Sequence, residues 1–495
     1  MIVGIDAGTS VVKAAAFSQK GQVLAVEGQR VKLHSPRPDH TEQDIEETLA
    51  AVGEVVRAVV RRSGEPVDAI GITGQGDGLW LMDEEGRPVR PAITWLDARA
   101  NSVAKEWMSS GLFGTLFRKN GNVMFPGSPA PIMVALKRSE PESLEHAATA
   151  SYCKDVILQR LTGERATDAS DASEPFLDLE TREYDPELLQ LCGLEDCEHL
   201  LAPIDPSPGL MRPLCARGAE LTGLPEGTSV HNGPFDLPAT AIGAGVTQIG
   251  EGVVILGTTL ACQVLTDRPE PGDDEPGGQT LCALEPDRWL RAMPAMVGTA
   301  SLDWALSLFG VKHVELEDIL AESPFGARGV TALPFFSTSG ERAPFVDPFA
   351  RGQASGMSLS TTRADLVRAV CEGVAYAARN CLEAAGLTGE IAICGGGSES
   401  RAWRQMLADV LHKPLRIARK PEVGARGAAM ATLIAAEEDF DRVEWTRPEG
   451  YVEPRAEVTE FYEEGFAHYL ASIEAARGLW SRSPHAGIPH QKGGA

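Results

Sequence analysis

An α/β fold in two domains is what this 495-residue sequence predicts. Two strand, Gly/Thr-turn, strand units stand about 250 residues apart, pointing to a duplicated domain with one such hairpin in each half. Between them, a strand, helix, strand order implies helices layered on a sheet. The length agrees, because chains of this size divide into domains of about 200 to 250 residues rather than grow a single core. A change of composition near Thr247 sets the expected divisions at 1–246, 247–440 and a charged, partly helical extension at 441–495. Beyond Trp480, its Pro, His, Gly and Lys residues read as a flexible tail.

The first unit consists of the apolar run Ile2, Val3 and Ile5, the turn Asp6-Ala7-Gly8-Thr9-Ser10, and a returning strand to Phe17. Gly8 admits close approach of a ligand to the backbone. Thr9 and Ser10 offer hydroxyls and Lys13 a cation, all suited to phosphate oxygens, while Asp6 suits a metal-bound water. An ordinary hairpin with an Asx turn explains the same residues. From Asp44 to Arg61, Ile45, Leu49, Val52, Val55, Val56 and Val59 recur at helical spacing, and Val67 to Thr73 forms a compact strand.

A second hairpin is expected to pair Leu79–Met82 with Val89. Its entry loop, Gly74-Gln75-Gly76-Asp77-Gly78, alternates glycine with two side chains that project, and Trp95, Asp97 and Arg99 follow closely. Carboxylate and amide groups beside an indole face suit a polyhydroxylated molecule. The alternative is a surface ion pair between Asp97 and Arg99 beside a core Trp95. Further on, Asp236 and Pro238 open a small-residue helix running to Gly245. Capping and catalysis are compatible there, since a helix N-terminus favours a carboxylate; Asp236 is therefore expected to be ionised at neutral pH and available as a base.

Gly252–Leu256, the turn Gly257-Thr258-Thr259 and Leu260–Leu265 repeat the opening arrangement. Pro269 to Thr280, rich in Pro, Gly and acids, reads as a surface loop. A helix from Leu366 to Ala385 leads to the strand Ile391–Cys394, then to Gly395-Gly396-Gly397-Ser398 and a helix around Arg401 to Leu411. Glycines between a strand and a helix allow adenosine or ribose to lie against bare backbone, which marks Gly396 and Gly397. Gly424 and Ala425 open a second small-residue helix, which either faces the same nucleotide or packs closely.

A net charge of −25 argues against attraction to nucleic acid or anionic membrane. Nine scattered cysteines form no CxxC pair or zinc-spaced cluster and read as reduced thiols. Neither a signal peptide nor a membrane span is evident, so a cytoplasmic protein is expected. The absence of GxxxxGK[ST] disfavours a P-loop kinase.

In their order, these motifs resemble those of the FGGY carbohydrate kinases, along nearly the whole chain. The resemblance adds Tyr152-Cys153-Lys154-Asp155, Leu161-Thr162-Gly163-Glu164, Gly340-Glu341-Arg342-Ala343-Pro344-Phe345 and Trp403 to Asp409 to the segments above. It implies two ribonuclease-H-like domains of the actin/hexokinase/Hsp70 ATPase fold with an interdomain catalytic cleft, and phosphoryl transfer from MgATP to a sugar or polyol hydroxyl. Carried over by position, Asp236 is the general base and Asp6 the Mg²⁺-associated carboxylate. Thr9, Ser10, Lys13, Gly257, Thr258 and Thr259 serve the phosphates, and Gly396, Gly397, Gly424 and Ala425 border adenosine. Gln75, Asp77, Trp95, Asp97, Arg99 and Asp236 face the substrate. The phrases around Asp6, Gln75, Trp95 and Arg165 to Asp168 look most like erythritol kinases, which makes erythritol the leading substrate; Gln75-Gly76-Asp77-Gly78 departs from the Gln-Met-His-Gly of many xylulose kinases. A ketopentose, L-xylulose or D-xylulose, is the runner-up. A non-catalytic nucleotide- and sugar-binding regulator on the same fold is the alternative of a different class. A homodimer is the default expectation.

Overall fold

The computed structural model of the protein describes residues 1–269 and 275–480. The first half runs through strands β1 (Ile2–Ala7), β2 (Val11–Phe17) and β3 (Val23–Arg30), helix α1 (Ile45–Ser63), strand β4 (Ala69–Gly74), helix α2 (Cys153–Thr162), strands β5 (Met211–Pro213) and β6 (Ser229–Asn232) and helix α3 (Asp236–Gly243). Strands β7 (Gly252–Leu256), β8 (Leu260–Thr266), β9 (Gln279–Cys282) and β10 (Trp289–Ala295) follow, then helices α4 (Thr299–Leu308) and α5 (Arg363–Ala384). Strand β11 (Ile391–Cys394), helix α6 (Arg401–Leu411), strand β12 (Leu415–Ile417), helix α7 (Val423–Ala435), strand β13 (Gly450–Val452) and helix α8 (Thr459–Trp480) complete it. The expected flexible tail beyond Trp480, and residues 270–274 of the expected surface loop, lie outside the described residues; Gln279 and Thr280 at the loop's end belong to β9.

The chain folds as two compact units. The first comprises Met1–Gly252, Gln263–Ala292 and Ala418–Glu449; the second comprises Val253–Cys262, Met293–Ile417 and the chain from Gly450 on. This division is not the linear one expected at 246 and 440, because the hairpin β9–β10 and helix α7 pack with the first unit.

In the first unit six strands lie in the order β5-β6-β4-β1-β2-β3. β1, β2 and β3 form an antiparallel meander, and β4 and β6 continue it in parallel with β1, the ribonuclease-H-like arrangement. The two-residue period of β1 decides what its faces meet. Val3, Ile5 and Ala7 join Val52, Val56 and Val59 of α1, while Ile2 joins Ala429 and Met430 of α7. Helix α1 begins where the spacing predicts, with the Asp44 carboxylate accepting from the Glu47 amide at 3.0 Å and Gly64 ending it in the left-handed conformation, φ 67°.

On the α7 face, glycine replaces side chains wherever backbones meet. A Cβ at Gly4 would overlap the Ala425 carbonyl, and one at Gly71 the Ala428 carbonyl. A Cβ at Gly243 of α3 would overlap the Val423 carbonyl, and one at Gly427 of α7 the Ala239 carbonyl. Helices α3 and α7 therefore lie in backbone contact with each other, and α7 also lies against β1 and β4.

In the second unit β8, β7, β11, β12 and β13 lie side by side in that order. β11 and β12 are parallel, so a hairpin again precedes a crossover strand pair. Helix α5 starts in a capping box of Thr362 and Asp365. Helix α8 buries Tyr462, Phe466, Tyr469 and Trp480, with the Tyr469 ring 5.5 Å from that of Tyr376. The expected hairpin partner of Leu79–Met82 is only partly found. The Val89 amide donates to the Leu81 carbonyl, but the strand Trp80–Met82 pairs in register with Thr149–Ser151. All nine cysteines are unpaired thiols, and no helix among the described residues is long and apolar enough to cross a membrane.

Gly427→Ala is expected to destabilise by about 1–3 kcal/mol or more, because backbone atoms cannot move aside as a flexible side chain can. Gly478→Ala, at an exposed position of α8 with nothing within 4 Å of the added Cβ, is expected to gain about 0.5–1 kcal/mol. Chemical denaturation of the two variants checks the opposite signs.

Candidate active site

Asp6 lies on the α7 side of β1, paired in register with Lys13 of β2. At the start of α7, a Cβ on Gly424 would stand 2.6 Å from Asp6 Oδ2, so glycine is what leaves the carboxylate its place. Lys13 Nζ is 3.0 Å from Glu422 Oε2, and both charges act on Asp6. Burial pushes the Asp6 carboxyl up to about 6, opposed by Lys13 and reinforced by Glu422.

Asp236 is the first residue of α3, at the end of a loop held on every side. The Gly233 amide donates to the Ile72 carbonyl at 3.0 Å, Thr73 Oγ1 to the Pro234 carbonyl at 2.7 Å, and the Phe235 amide to Ser170 Oγ at 3.1 Å. The Phe235 ring lies against Gly76, where a Cβ would stand 2.5 Å from it. Asp236 holds its proton more tightly than its helix position implies, so the expectation that this position keeps it ionised is not met by its surroundings in the free protein. Burial, with Asp6 and Asp77 nearby, raises its carboxyl to about 8 against the pull of the Leu237 amide. Desolvation and two like charges outweigh one helix end.

Gln75 does not project towards a ligand. It is buried, its Oε1 accepts from Thr9 Oγ1 at 2.9 Å and its Nε2 donates to Gln43 Oε1 at 2.8 Å. Trp95 Nε1 donates to the same Thr9 hydroxyl at 2.9 Å. One hydroxyl thus joins the opening turn to both segments expected at the substrate, with Ser10 left exposed beside it. Asp97 and Arg99 are an ion pair, but a buried one: Arg99 Nε is 2.8 Å from Asp97 Oδ1, Asp97 Oδ2 accepts from the Thr41 amide at 2.6 Å, and Arg99 Nη2 reaches Glu42 at 2.7 Å. These groups brace the segment that carries Trp95. Asp77 differs from them. It is half-buried, sits in the left-handed region with φ 54°, and places its charge where Asp236 feels it.

In the second unit the turn Gly257-Thr258-Thr259 is fixed by the start of α4. The Thr299 amide donates to the Gly257 carbonyl at 2.8 Å and the Ala300 amide to the Thr258 carbonyl at 3.2 Å. The triple glycine divides its labour. Gly397 is buried against Leu256 and Thr299, whereas Gly396 is exposed with open space where a Cβ would stand, so Gly396 is the bare-backbone position. Ala425 is fully buried against Gly4 and Gly424 faces Asp6, so close packing accounts for their small size.

Sequence reasoning passed over Glu422, Ser170 and the junction Gly298-Thr299, and gave Lys154 no role beyond its place in a segment that carries the resemblance. Only the junction carried a signal, a third instance of small residues between a strand and a helix.

The N-terminal domain of the FGGY family of carbohydrate kinases matches residues 1–243, and the C-terminal domain of that family matches residues 252–436. The chain is 34% identical to an erythritol kinase from Brucella abortus, over 97% of each chain. It is 32% identical to a xylulose kinase from Escherichia coli, over 90% of this chain and 92% of the other. A xylulose kinase structure from Lactobacillus acidophilus matches its fold with a TM-score of 0.90 at 22% identity, covering 97% of this chain and 99% of that one. Matched from end to end in this way, the chain belongs to the FGGY family of carbohydrate kinases and is a sugar or polyol kinase of the actin/hexokinase/Hsp70 fold.

Proposed function

We propose that the protein transfers the terminal phosphoryl group of ATP to a terminal hydroxyl of a small polyol, erythritol first, with Asp236 as general base. The observation that carries this reading is Asp77, held by a left-handed turn close enough to act electrostatically on Asp236. Two carboxylates accept hydrogen bonds from neighbouring hydroxyls and repel a sugar acid, which suits a neutral polyol. The erythritol kinase relative supports the same choice. A ketopentose is the second reading, supported by the xylulose kinase relative.

With its carboxyl deprotonated, Asp236 receives the hydroxyl proton as the oxygen–phosphorus bond forms and the bond from the terminal phosphorus to the departing ADP breaks, so most of the catalysis is alignment and charge neutralisation. Thr258, Thr259, Gly257 and Gly396 are assigned to the nucleotide, and Ser10, Lys13 and the Thr9 backbone to phosphate oxygens. Asp6 fits Mg²⁺. It is an oxygen donor beside Glu422 and Asp236, and among the described residues no three His, Cys, Asp or Glu side chains form a cage, as suits an ion that keeps water and phosphate ligands. When bound, Mg²⁺ supplies charge neutralisation of the phosphates. Nine unpaired thiols support a reducing, cytoplasmic setting.

A coupled ADP-release screen over erythritol, other tetritols and pentitols, glycerol, and D- and L-ketopentoses tests the assignment, with erythritol expected to win clearly. ATP binding without turnover on any acceptor would favour a regulator instead. Asp77→Ala should raise the polyol KM at least about tenfold while leaving the ATP KM near its original value; equal effects on both would remove Asp77 from the substrate contacts.

Asp236→Asn should lower turnover by about 10²- to 10⁴-fold. It should also stabilise the free protein at high pH. The folded-state carboxyl, at about 8, lies above its ordinary 3.8, so the folded chain holds a proton that the unfolded chain has released. That stabilisation is complete below about 4 and is lost as pH rises through 8. The Tm advantage of Asp236→Asn over the parent should therefore grow between about pH 5 and pH 9 in thermal scans, and a constant difference would contradict it.

A further inference from the structure

A buried ion cluster lies behind the loop that presents Asp236. Lys154, at the start of α2, has no side-chain exposure, and its Nζ stands 2.8 Å from Asp155, 2.8 Å from Asp168 and 3.2 Å from Asp171. Two branches run from it to the loop. Asp155 Oδ1 accepts from Asn232 Nδ2 at 2.8 Å, at the end of β6. Asp168 Oδ2 accepts from the Ser170 amide at 2.9 Å, and Ser170 Oγ in turn accepts from the amide of Phe235, the residue before Asp236.

Stability alone does not account for this arrangement. One ammonium and three carboxylates buried together carry a desolvation cost that well-packed apolar side chains would avoid. The sheet already fixes the loop through Gly233 and Pro234, so what Ser170 adds is a hold on Phe235, the last backbone unit before α3. Phe235 has no side-chain capping bond to set the helix start by itself. We infer that Lys154, Asp168 and Ser170 form a positioning network for phosphoryl transfer, fixing the backbone at Phe235 and with it the place of the Asp236 carboxylate relative to the attacking hydroxyl. The inference rests on the reading of Asp236 as the base.

Ser170→Ala removes one buried acceptor and leaves the ion cluster intact, which makes it a milder probe than any change at Lys154. A displacement of the base of about 1 Å can cost roughly a hundredfold, so kcat of Ser170→Ala is expected to fall about 10- to 100-fold with the ATP KM within about twofold of its original value. Because Ser170 acts through Asp236, adding Ser170→Ala to Asp236→Asn should leave the residual rate of the latter unchanged. A kcat within about twofold of the parent, or the same fractional loss in both backgrounds, would overturn the inference. Normal turnover by Asp236→Asn would overturn the base assignment and the inference with it, whereas an inactive Asp236→Asn beside a fully active Ser170→Ala would overturn the inference alone.

Discussion

The close approach of α3 and α7 to each other, and of α7 to β1 and β4, is the constraint on which the first unit's chemistry depends. Gly4, Gly71, Gly243 and Gly427 all stand where a single methyl would strike a backbone carbonyl. With side chains removed from these contacts, the start of α7 comes to lie against the Asp6 carboxylate, while α3, held to α7, begins with Asp236. Two helix N-termini and the end of β1 are thus fixed by backbone contact, which has fewer ways to relax than side-chain packing. The precision that phosphoryl transfer needs is built into the packing before any ligand arrives.

That precision has an electrostatic cost. Asp6, Asp77 and Asp236 share a half-buried region, with Lys13 as the cation acting on Asp6 and itself paired to Glu422. The helix ends offset part of the repulsion, but burial prevails, and both Asp6 and Asp236 hold their protons more tightly than ordinary carboxyls. A site in this state is strained towards accepting positive charge. The same raised carboxyls make it a weak point of the folded protein as pH rises.

What the sequence made legible was local. Strand and helix periods, the two Gly/Thr turns and the small-residue helices are properties of a few neighbouring residues, and the elements formed close to where those patterns placed them. The uses of individual polar side chains were less legible, because their partners are distant along the chain. Thr9 lies 66 residues from Gln75 and 86 from Trp95, and nothing in the glycine-flanked Gln75 loop signals that its amide turns inward to serve them. Ala425 illustrates the same limit, since a run of small residues looks alike whether it borders a ligand or a strand. The upward shift of the Asp236 carboxyl is not legible for the same reason: the helix end is visible in sequence, while the burial that raises it, and the neighbours Asp6 and Asp77 that add to it, arise only on folding.

The hydroxyl of Thr9 acquires a larger meaning from those long-range partners. It donates to Gln75, accepts from Trp95, and through Gln43 the amide network returns to the Thr9 carbonyl, closing a ring of hydrogen bonds. The turn assigned to phosphate and the loop that carries Asp77 therefore cannot shift independently. A polar ring that is nearly saturated is rigid in a way that a set of exposed phosphate ligands would not be, because any displacement leaves a buried donor or acceptor unpaired. Gln75 and Trp95, expected at the substrate by their chemistry, are the groups that tie the loop carrying Asp77 to the opening turn.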